Sequence, residues 1–454
     1  MDLKNKRVLV AGTGISGIGA AGLLLKTDAD IILYDGNEKL TEEGVREKLP
    51  KNSREVSVII GALTDDVIRT LDIVVLSPGI PTDAEFVNRI REAGVTIWGE
   101  LELADQFAKG TIAAITGTNG KTTTTTLVGE ILKNYYKEVY VVGNIGTAYT
   151  GVAMDTTDEA YIVAETSSFQ LETIDAFHPR VSAILNLTPD HLNRHHTMEA
   201  YVEAKKNIMK NQTSEDYVIL NYDDPLTRDI GEKAVPQVIY FSGTQVLKEG
   251  FYFHDKKIYR AKNGHEDVIC TSDELKLLGL HNMENVMAAS AMAECLGVPV
   301  DTIRKTITSF MGVEHRIEFV TEKKGVCYYN DSKGTNPDAA IKAVQAMVRP
   351  TILIGGGYDK ESTYDEWIET FDGKVRLLVL IGETADKIEA CARRHGFENI
   401  IRAESFEQAV HLCIDKAESG DAVLLSPACA SWDMFKSYEE RGRIFKELVN
   451  KFAD

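Results

Sequence analysis

No two cysteines in this 454-residue chain stand at C-x-x-C spacing; the six, Cys270, Cys295, Cys327, Cys391, Cys413 and Cys429, are scattered. That scatter predicts reduced thiols, with neither a disulfide frame nor a zinc site. Positive charge is also in deficit, with 50 Lys and Arg against 69 Asp and Glu and a net charge of −19. A general nucleic-acid or anionic-membrane binder needs a broad basic surface, so both classes are excluded. A small anion held by a few lysines, arginines and helix N-termini is not. Long apolar runs are missing too. None approaches the ~18 residues of a membrane span, and the opening "MDLKNKRVLVAGTGI" holds only a short apolar run, too short for a secretion signal. Internal repeats and Pro/Ser-rich linkers are absent. The expectation is a cytoplasmic protein that binds neither nucleic acid nor membrane.

What the chain does have is a series of short Val/Ile-rich runs alternating with longer amphipathic stretches, the pattern of open α/β domains. The strand candidates are "RVLVAG", "DIILYD", "DIVVLSPG", "TIAAITG", "EVYVVGN", "YIVAE", "VSAILNLT", "DYVILN", "VCYYNDS", "TILIGGG", "RLLVLIG" and "AVLLSPA". Many end in Gly, Asp, Asn or Ser, which places polar groups at the C-terminal edge of a sheet, where such sheets bind ligands. Changes of pattern near "TIWGELELADQFAKG" and "SFMGVEHRIEFV" predict three domains, residues 1–97, 98–312 and 313–454. The first and third read as Rossmann-like, the second as a phosphate-loop domain with a mostly parallel sheet. Alternation over residues 239–270 predicts a small antiparallel insertion in the second.

"AITGTNGKTTTTTLVGEIL" contains the strongest motif. "GTNGKT", Gly117 to Thr122, follows a strand and opens a helix, the context of a phosphate loop: flexible backbone, N–H groups facing an anion and a helix N-terminus behind them. Lys121 would reach the β- and γ-phosphates, and the Thr122 hydroxyl would bind Mg²⁺. Ile115 stands where a full Walker pattern has its first glycine. Thr122 to Thr126 are poor helix formers, because a branched Cβ restricts χ1. At a first turn their hydroxyls could instead face phosphate, metal or unpaired backbone groups.

"GTGISG", Gly12 to Gly17, is a G-x-G-x-x-G after a strand, and Asp35 ends the next strand. Alone this signals a dinucleotide site weakly. About 95 residues leave room for only half of a doubly wound sheet, which suits a mononucleotide or a nucleotide-sugar diphosphate better. "LSPGI", with Ser77 and Gly79, could cover the same ligand. Glu165 and Asp190-His191 at two further strand ends suit Mg²⁺ or Mn²⁺ beside a nucleotide. Asn282 and Asn285, spaced i,i+3 near the start of a long helix, could read the edge of a base or simply cap the helix. Arg316, Asp331, Lys333, Thr335, Lys360, Ser431 and Tyr438 form a third, cationic and hydroxylic set suited to carboxylates and phosphates. A nicotinamide oxidoreductase would leave "GTNGKT" unexplained, and a non-catalytic nucleotide switch would leave the other strand-end residues unused.

Taken together, "GISG", "SPGI", "TGTNGKTTT", "GNIG", "ETSSFQLE", "DHLNRH", "AKKNI", "GLHNMEN", "HRIE", "NDSKGTN" and "SPACASWDMFKSYEERG" resemble the Mur ligases along essentially the whole chain. "NDSKGTN" and "SPACASWDMF" resemble the member that adds D-glutamate to UDP-N-acetylmuramoyl-L-alanine with ATP. The resemblance implies a monomer with those three small-molecule substrates. It implies that Gly14, Ile15, Ser16, Asp35, Ser77, Gly79 and Asn144 hold the UDP-sugar. Gly117, Thr118, Asn119, Gly120, Lys121, Thr122, Thr123, Asn282, Asn285, Arg316 and Asp331 would hold ATP. Thr122, Glu165, His191 and Lys205, the last as a carbamate, would bind Mg²⁺ or Mn²⁺. Thr335, Lys360, Ser431 and Tyr438 would surround D-glutamate, and Lys121, Lys205, His191 and Lys333 would be the catalytic set.

Overall fold

The computed structural model describes every residue except Asn52, Ser53, Glu55, Ile145, Ala453 and Asp454. The chain forms two compact units, Met1–Ile269 with Glu284–Ile307, and Cys270–Met283 with Thr308–Asp454. The described residues form three sheets, and in each the apolar runs become central, buried strands.

The first sheet comprises β1 (Arg7–Ala11), β2 (Asp30–Asp35), β3 (Ser57–Ile60), β4 (Ile73–Leu76) and β5 (Thr96–Gly99), in the order β3-β2-β1-β4-β5. Every pairing is parallel. This corrects the expected half-sheet: strands of four to six residues joined by short helices fit five strands where half a sheet was expected. Two glycines of "GTGISG" are fixed by clearance. A Cβ on Gly17 would lie 1.8 Å from the Gly12 carbonyl oxygen, and one on Gly12 would lie 2.6 Å from Ser77 Oγ. Gly17→Ala should therefore force helix Ile15–Leu24 off β1 at a cost of about 1–3 kcal/mol. Calorimetry should show a Tm lower by about 2–4 °C per kcal/mol; an unchanged Tm would mean that the helix moves away freely.

The second sheet comprises β6 (Thr111–Thr116), β7 (Val139–Gly143), β8 (Tyr161–Glu165), β9 (Val181–Ile184), β10 (Tyr217–Asn221), β11 (Gln237–Ser242), β12 (Gly250–His254), β13 (Lys257–Lys262) and β14 (His265–Thr271). Its order is β14-β13-β12-β11-β10-β9-β6-β8-β7. The expected antiparallel insertion is an extension of this sheet. β11 runs parallel to both β10 and β12, and only then does the chain turn back in the β12–β13 hairpin. Burial in these strands does not alternate strictly: Gly250, Phe251 and Tyr252 of β12 and Ile258 and Ala261 of β13 are the buried residues.

The third sheet comprises β15 (Glu318–Lys323), β16 (Val326–Asn330), β17 (Thr351–Gly355), β18 (Val375–Leu380), β19 (Ile400–Arg402) and β20 (Ala422–Leu425), ordered β15-β16-β20-β17-β18-β19. Its pairings are parallel except that β15 runs antiparallel to β16. Every residue of β16, β17 and β20 is buried, as strands covered by helices on both faces must be.

Candidate functional site

The parallel strands β8, β6 and β9 are neighbours, so their C-terminal ends deliver three segments to one edge. From β6 comes the loop Gly117–Gly120. Its end glycines have φ of +148° and +84°, and Gly120 starts the helix Lys121–Lys133. A side chain at Gly120 would meet Asn285 Oδ1 at 2.2 Å, so glycine is required there for space as well as for conformation. The segment after β9 braces the loop. Thr118 N–H donates to the Asn186 carbonyl at 2.9 Å, and Asn119 N–H donates to Asn186 Oδ1 at 2.8 Å. Lys121 Nζ folds back onto the loop, donating to the carbonyls of Gly117 and Thr118, each at 2.9 Å.

The threonine run divides. Thr122 and Thr123 sit in the first turn. Thr124 and Thr125 are wholly buried, with Thr124 Oγ1 donating to Asn285 Oδ1 at 3.3 Å. Thr126 Oγ1 turns back to the Thr122 carbonyl at 2.8 Å. Thr124 and Thr125 thus serve packing and Thr126 bonds the backbone, while Thr122 and Thr123 stand at the turn that faces the loop.

β8 ends in Glu165, 1% exposed. Its Oε1 accepts from Asn144 Nδ2 at 2.8 Å, whereas Oε2 is buried with no hydrogen-bond partner. Asn144, which the resemblance implies at the UDP-sugar, thus holds this carboxylate. Such an orphaned oxygen fits a hard cation, because burial without a partner costs about 1–3 kcal/mol. His191 follows β9 at φ +52°, starting the short helix Leu192–His195. Its N–H donates to Asp190 Oδ1 at 2.9 Å, and its ring lies 4.9 Å from that of Phe169.

Lys205, in helix Met198–Lys206, is 2% exposed and reaches the same loop. Its Nζ donates to the Gly117 carbonyl at 2.8 Å and lies 4.9 Å from the centre of the Tyr201 ring. Burial, reinforced by Lys121, pushes this amine down to about 7, against the opposing pull of Asp190 and Glu165. Lys121, Glu165, Asp190 and Lys205 therefore share one electrostatic neighbourhood.

At the C-terminal edge of the first sheet, Asp35 Oδ2 accepts from Thr13 N–H at 2.9 Å and Oγ1 at 2.8 Å, and Oδ1 accepts from Asn37 N–H at 3.0 Å. Burial pushes its carboxyl up, and these hydrogen bonds more than reverse that, so Asp35 stays ionised. Gly14, at the start of helix Ile15–Leu24, and Gly79 have open space beside them, Ile15 is exposed, and Ser16 lies in the first turn. Ser77 lines a small hollow with Ile80, Gly99, Phe169 and Arg194. Arg194 spans the two sheets of this unit, with Nη2 donating to the Ile80 carbonyl and to Glu172 Oε2, both at 2.8 Å.

Asn285 belongs to the first unit, whereas Asn282 falls in the second, where its Nδ2 donates to the Leu278 carbonyl at 2.7 Å. Arg316, Asp331, Lys333, Thr335, Lys360, Ser431 and Tyr438 also lie in the second unit. Asp331 follows β16, accepting from Ser426 Oγ at 2.7 Å and from Ile317 N–H at 3.2 Å, and burial raises its carboxyl to about 7. Arg316 is exposed beside it, and Lys333 Nζ lies 5.8 Å from the Tyr438 ring centre. Lys360 is exposed, with Nζ 4.7 Å from the centre of the Trp432 ring. The adjacent Ser431 is 1% exposed, and its Oγ has no partner.

Sequence reasoning missed Arg441. It is 1% exposed in helix Tyr438–Lys451, and it donates to Ser332 Oγ, to the Ser332 carbonyl and to the carbonyls of Cys429 and Ala430. Burial lowers even this guanidinium to about 10. Arg194 and Asn186 were missed as well. Asn186 stands in the quoted "VSAILNLT" and Arg194 in "DHLNRH", so their position after a strand end was the available signal.

Comparison with known proteins covers the whole chain. Residues 115–293 match the Mur ligase middle domain, residues 315–429 the Mur ligase glutamate ligase domain, and residues 6–99 the MurD-like N-terminal domain of Mur ligases. A UDP-N-acetylmuramoylalanine–D-glutamate ligase of Lachnoclostridium phytofermentans is 54% identical, over 100% of both chains. One from Clostridioides difficile is 47% identical, over 99% of both. Among solved structures, the UDP-N-acetylmuramate-alanine ligase MurC of Thermotoga maritima aligns with a TM-score of 0.57 at 20% identity, over 98% of this chain and 99% of that one. At that identity the likeness concerns the fold.

Proposed function

The chain belongs to the Mur ligase family, and on that premise we propose that it joins D-glutamate to UDP-N-acetylmuramoyl-L-alanine, driven by ATP, in the synthesis of peptidoglycan precursors. Residues 1–97 hold the nucleotide sugar, 98–312 hold ATP and 313–454 hold the amino acid. The observation that supports this most is the buried pairing of chemistry behind the phosphate loop: a carboxylate oxygen of Glu165 without a partner, and a Lys205 amine held near neutrality.

The substrate carboxylate attacks the γ-phosphorus of ATP, ADP leaves, and an acyl phosphate results. The neutral amine of D-glutamate attacks the acyl carbon, phosphate leaves, and the nitrogen gives up a proton. Lys121 exchanges its bonds to the loop carbonyls for phosphate oxygens, while the N–H groups of Gly117 to Thr123 and the side chains of Asn282, Asn285, Arg316 and Asp331 fix the nucleotide. Thr122, Glu165, His191 and a carbamate on Lys205 would hold Mg²⁺ or Mn²⁺, which supplies neutralising charge to the phosphates. Asn144 keeps Glu165 in position for that role. The Lys205 amine forms the carbamate by adding CO₂ and releasing one proton, which requires its free base. Gly14, Ile15, Ser16, Asp35, Ser77 and Gly79 receive the UDP-sugar.

Lys360 and Ser431 take the carboxylates of D-glutamate, with Thr335, Tyr438 and Lys333 around the reacting amine. Lys360→Ala should raise the KM for D-glutamate about tenfold or more and leave that for the nucleotide sugar unchanged, because the loss of one charge-assisted contact is worth about 1.5–3 kcal/mol. Initial-rate kinetics with each substrate varied would show it, and the opposite split would misplace Lys360. No helix among the described residues is long and apolar enough to cross a membrane, and all six cysteines are free thiols, which supports a cytoplasmic setting. We read the working form as a monomer. Phosphate release assayed with each amino acid, with and without UDP-N-acetylmuramoyl-L-alanine, tests the whole reading. Turnover with L-glutamate or D-alanine equal to that with D-glutamate would overturn it.

A further inference from the structure

One cluster on the second unit lies outside the set assigned to ATP and D-glutamate. Asp365 and Glu369 occupy successive turns of the helix Asp365–Glu369, which follows β17. Cys391 and His395 occupy successive turns at the end of the helix Ala385–Arg394, which follows β18. Residues four apart on a helix share a face, so each helix offers a pair. The structure turns the pairs toward each other: one ligand atom each from Asp365, Cys391 and His395 lies within 4.8 Å of the other two.

The geometry points to a binding site for a zinc-class divalent cation formed by Asp365, Cys391 and His395, which clips these two helices together. Thiolate, imidazole and carboxylate are the donors that Zn²⁺ takes tetrahedrally, at about 2.3, 2.0 and 2.1 Å, which separates ligand atoms by about 3.3–3.6 Å. Adjustments of about 1 Å reach that spacing. Asp365 Oδ1 already lies 2.9 Å from His395 Nε2, and the metal would replace the hydrogen shared between them. On the other side of the ring, His395 Nδ1 faces Glu369 Oε1 at 3.7 Å. A carboxylate on the far nitrogen fixes the tautomer that presents Nε2 to a metal.

The Asp365 carboxyl, held down to about 2 by His395 and Arg394, is ionised and ready to coordinate. Arg394 Nη2, at 3.0 Å from Asp365 Oδ1, belongs to an exposed side chain that can swing into solvent. Cys391 is buried at the base of the cluster, whereas Asp365 and His395 are reached from solvent. Binding would release the thiol proton to buffer, and the fourth position would be left to water. A soft sulfur donor separates this site from one for Mg²⁺, which takes oxygen ligands. The scattered cysteines gave no sign of such a site, because its ligands converge from two helices.

The test uses the reduced full-length protein in excess Mg²⁺, titrated with Co²⁺ and then Zn²⁺. The expected result is a thiolate-to-cobalt absorption band that saturates at one equivalent, is displaced by Zn²⁺, and persists in Cys295→Ser. Cys391→Ser should abolish the band, while His395→Ala, Asp365→Asn and Glu369→Gln should each weaken cobalt binding about tenfold or more. Retained ATP turnover shows that a variant is folded, and if Cys391→Ser fails this check, the exposed-site variants give the same reading. No band in the wild type at excess cobalt, or a band that survives in folded Cys391→Ser, overturns the proposal. So does undiminished binding in both His395→Ala and Asp365→Asn.

Discussion

Lys121→Ala is expected to lose at least about 10³-fold in ATP-dependent phosphate release, the scale on which a cation at a transferring phosphoryl group contributes. The fold should survive. Lys121 stands at the first position of its helix, where alanine is well tolerated, and its loss removes two part-buried hydrogen bonds to the loop carbonyls, together worth about 1–3 kcal/mol. Binding of UDP-N-acetylmuramoyl-L-alanine should be unchanged, since the residues assigned to it, apart from Asn144 after β7, lie at the edge of a different sheet. Calorimetric titration with the nucleotide sugar alongside the phosphate assay separates the two effects. Undiminished phosphate release by a folded Lys121→Ala would remove the phosphate-loop assignment.

Lys205→Ala is the second large effect expected: near-complete loss of turnover, partly restored by added formate, acetate or propionate. Alanine cannot carry the carbamate, and a small carboxylate diffusing into the space vacated by the side chain would place a negative group where the metal expects one. Lys206→Ala is the control. Lys206 is partly exposed and, among the described residues, pairs with Glu203, 3.1 Å away on its own helix, so its loss should change stability by less than about 0.5 kcal/mol and leave turnover intact. The wild type should also depend on pH in a defined direction. Burial and Lys121 lower the Lys205 amine to about 7, so its free base, the form that adds CO₂, grows as pH rises from about 6 to 8. Reactivation of CO₂-depleted enzyme, compared at equal dissolved CO₂, should accelerate over that interval. Full activity of Lys205→Ala in CO₂-free buffer would refute the carbamate, and an inactive Lys206→Ala would transfer the role to its neighbour.

The strands that could be read from sequence and those that could not differ in a physical way. β2 and β8 coincide with "DIILYD" and "YIVAE", and the other quoted runs each contain a strand, except that "RLLVLIG" misses the first residue of β18. β3, β15 and β19 were not recognised, and β5 was taken only as a change of pattern. All four are edge strands, and their partly exposed residues break the continuous apolar run that marks a central parallel strand. The site divides in the same way. "GTNGKT" was legible because its flanks specify a turn between strand and helix. The Asn144–Glu165 bond, the brace from Asn186 and the depressed Lys205 amine were not, because each depends on a contact between segments well separated in the chain. The threonine run was half legible: its start marks the helix, but only packing reveals that Thr124 and Thr125 face inward.

Arg441 has a consequence for anyone wishing to change which amino acid this scaffold accepts. The loop around Ser431 hangs from a guanidinium on the C-terminal helix, which is also tied to Ser332. A chimera that grafts "SPACASWDMF" from a relative onto this chain, without the matching helix and the stretch around Ser332, would set the new loop on the old suspension. The smallest unit that can be transplanted therefore consists of three separate pieces of sequence, and a loop swap alone should give a folded protein whose amino-acid preference is blurred rather than exchanged.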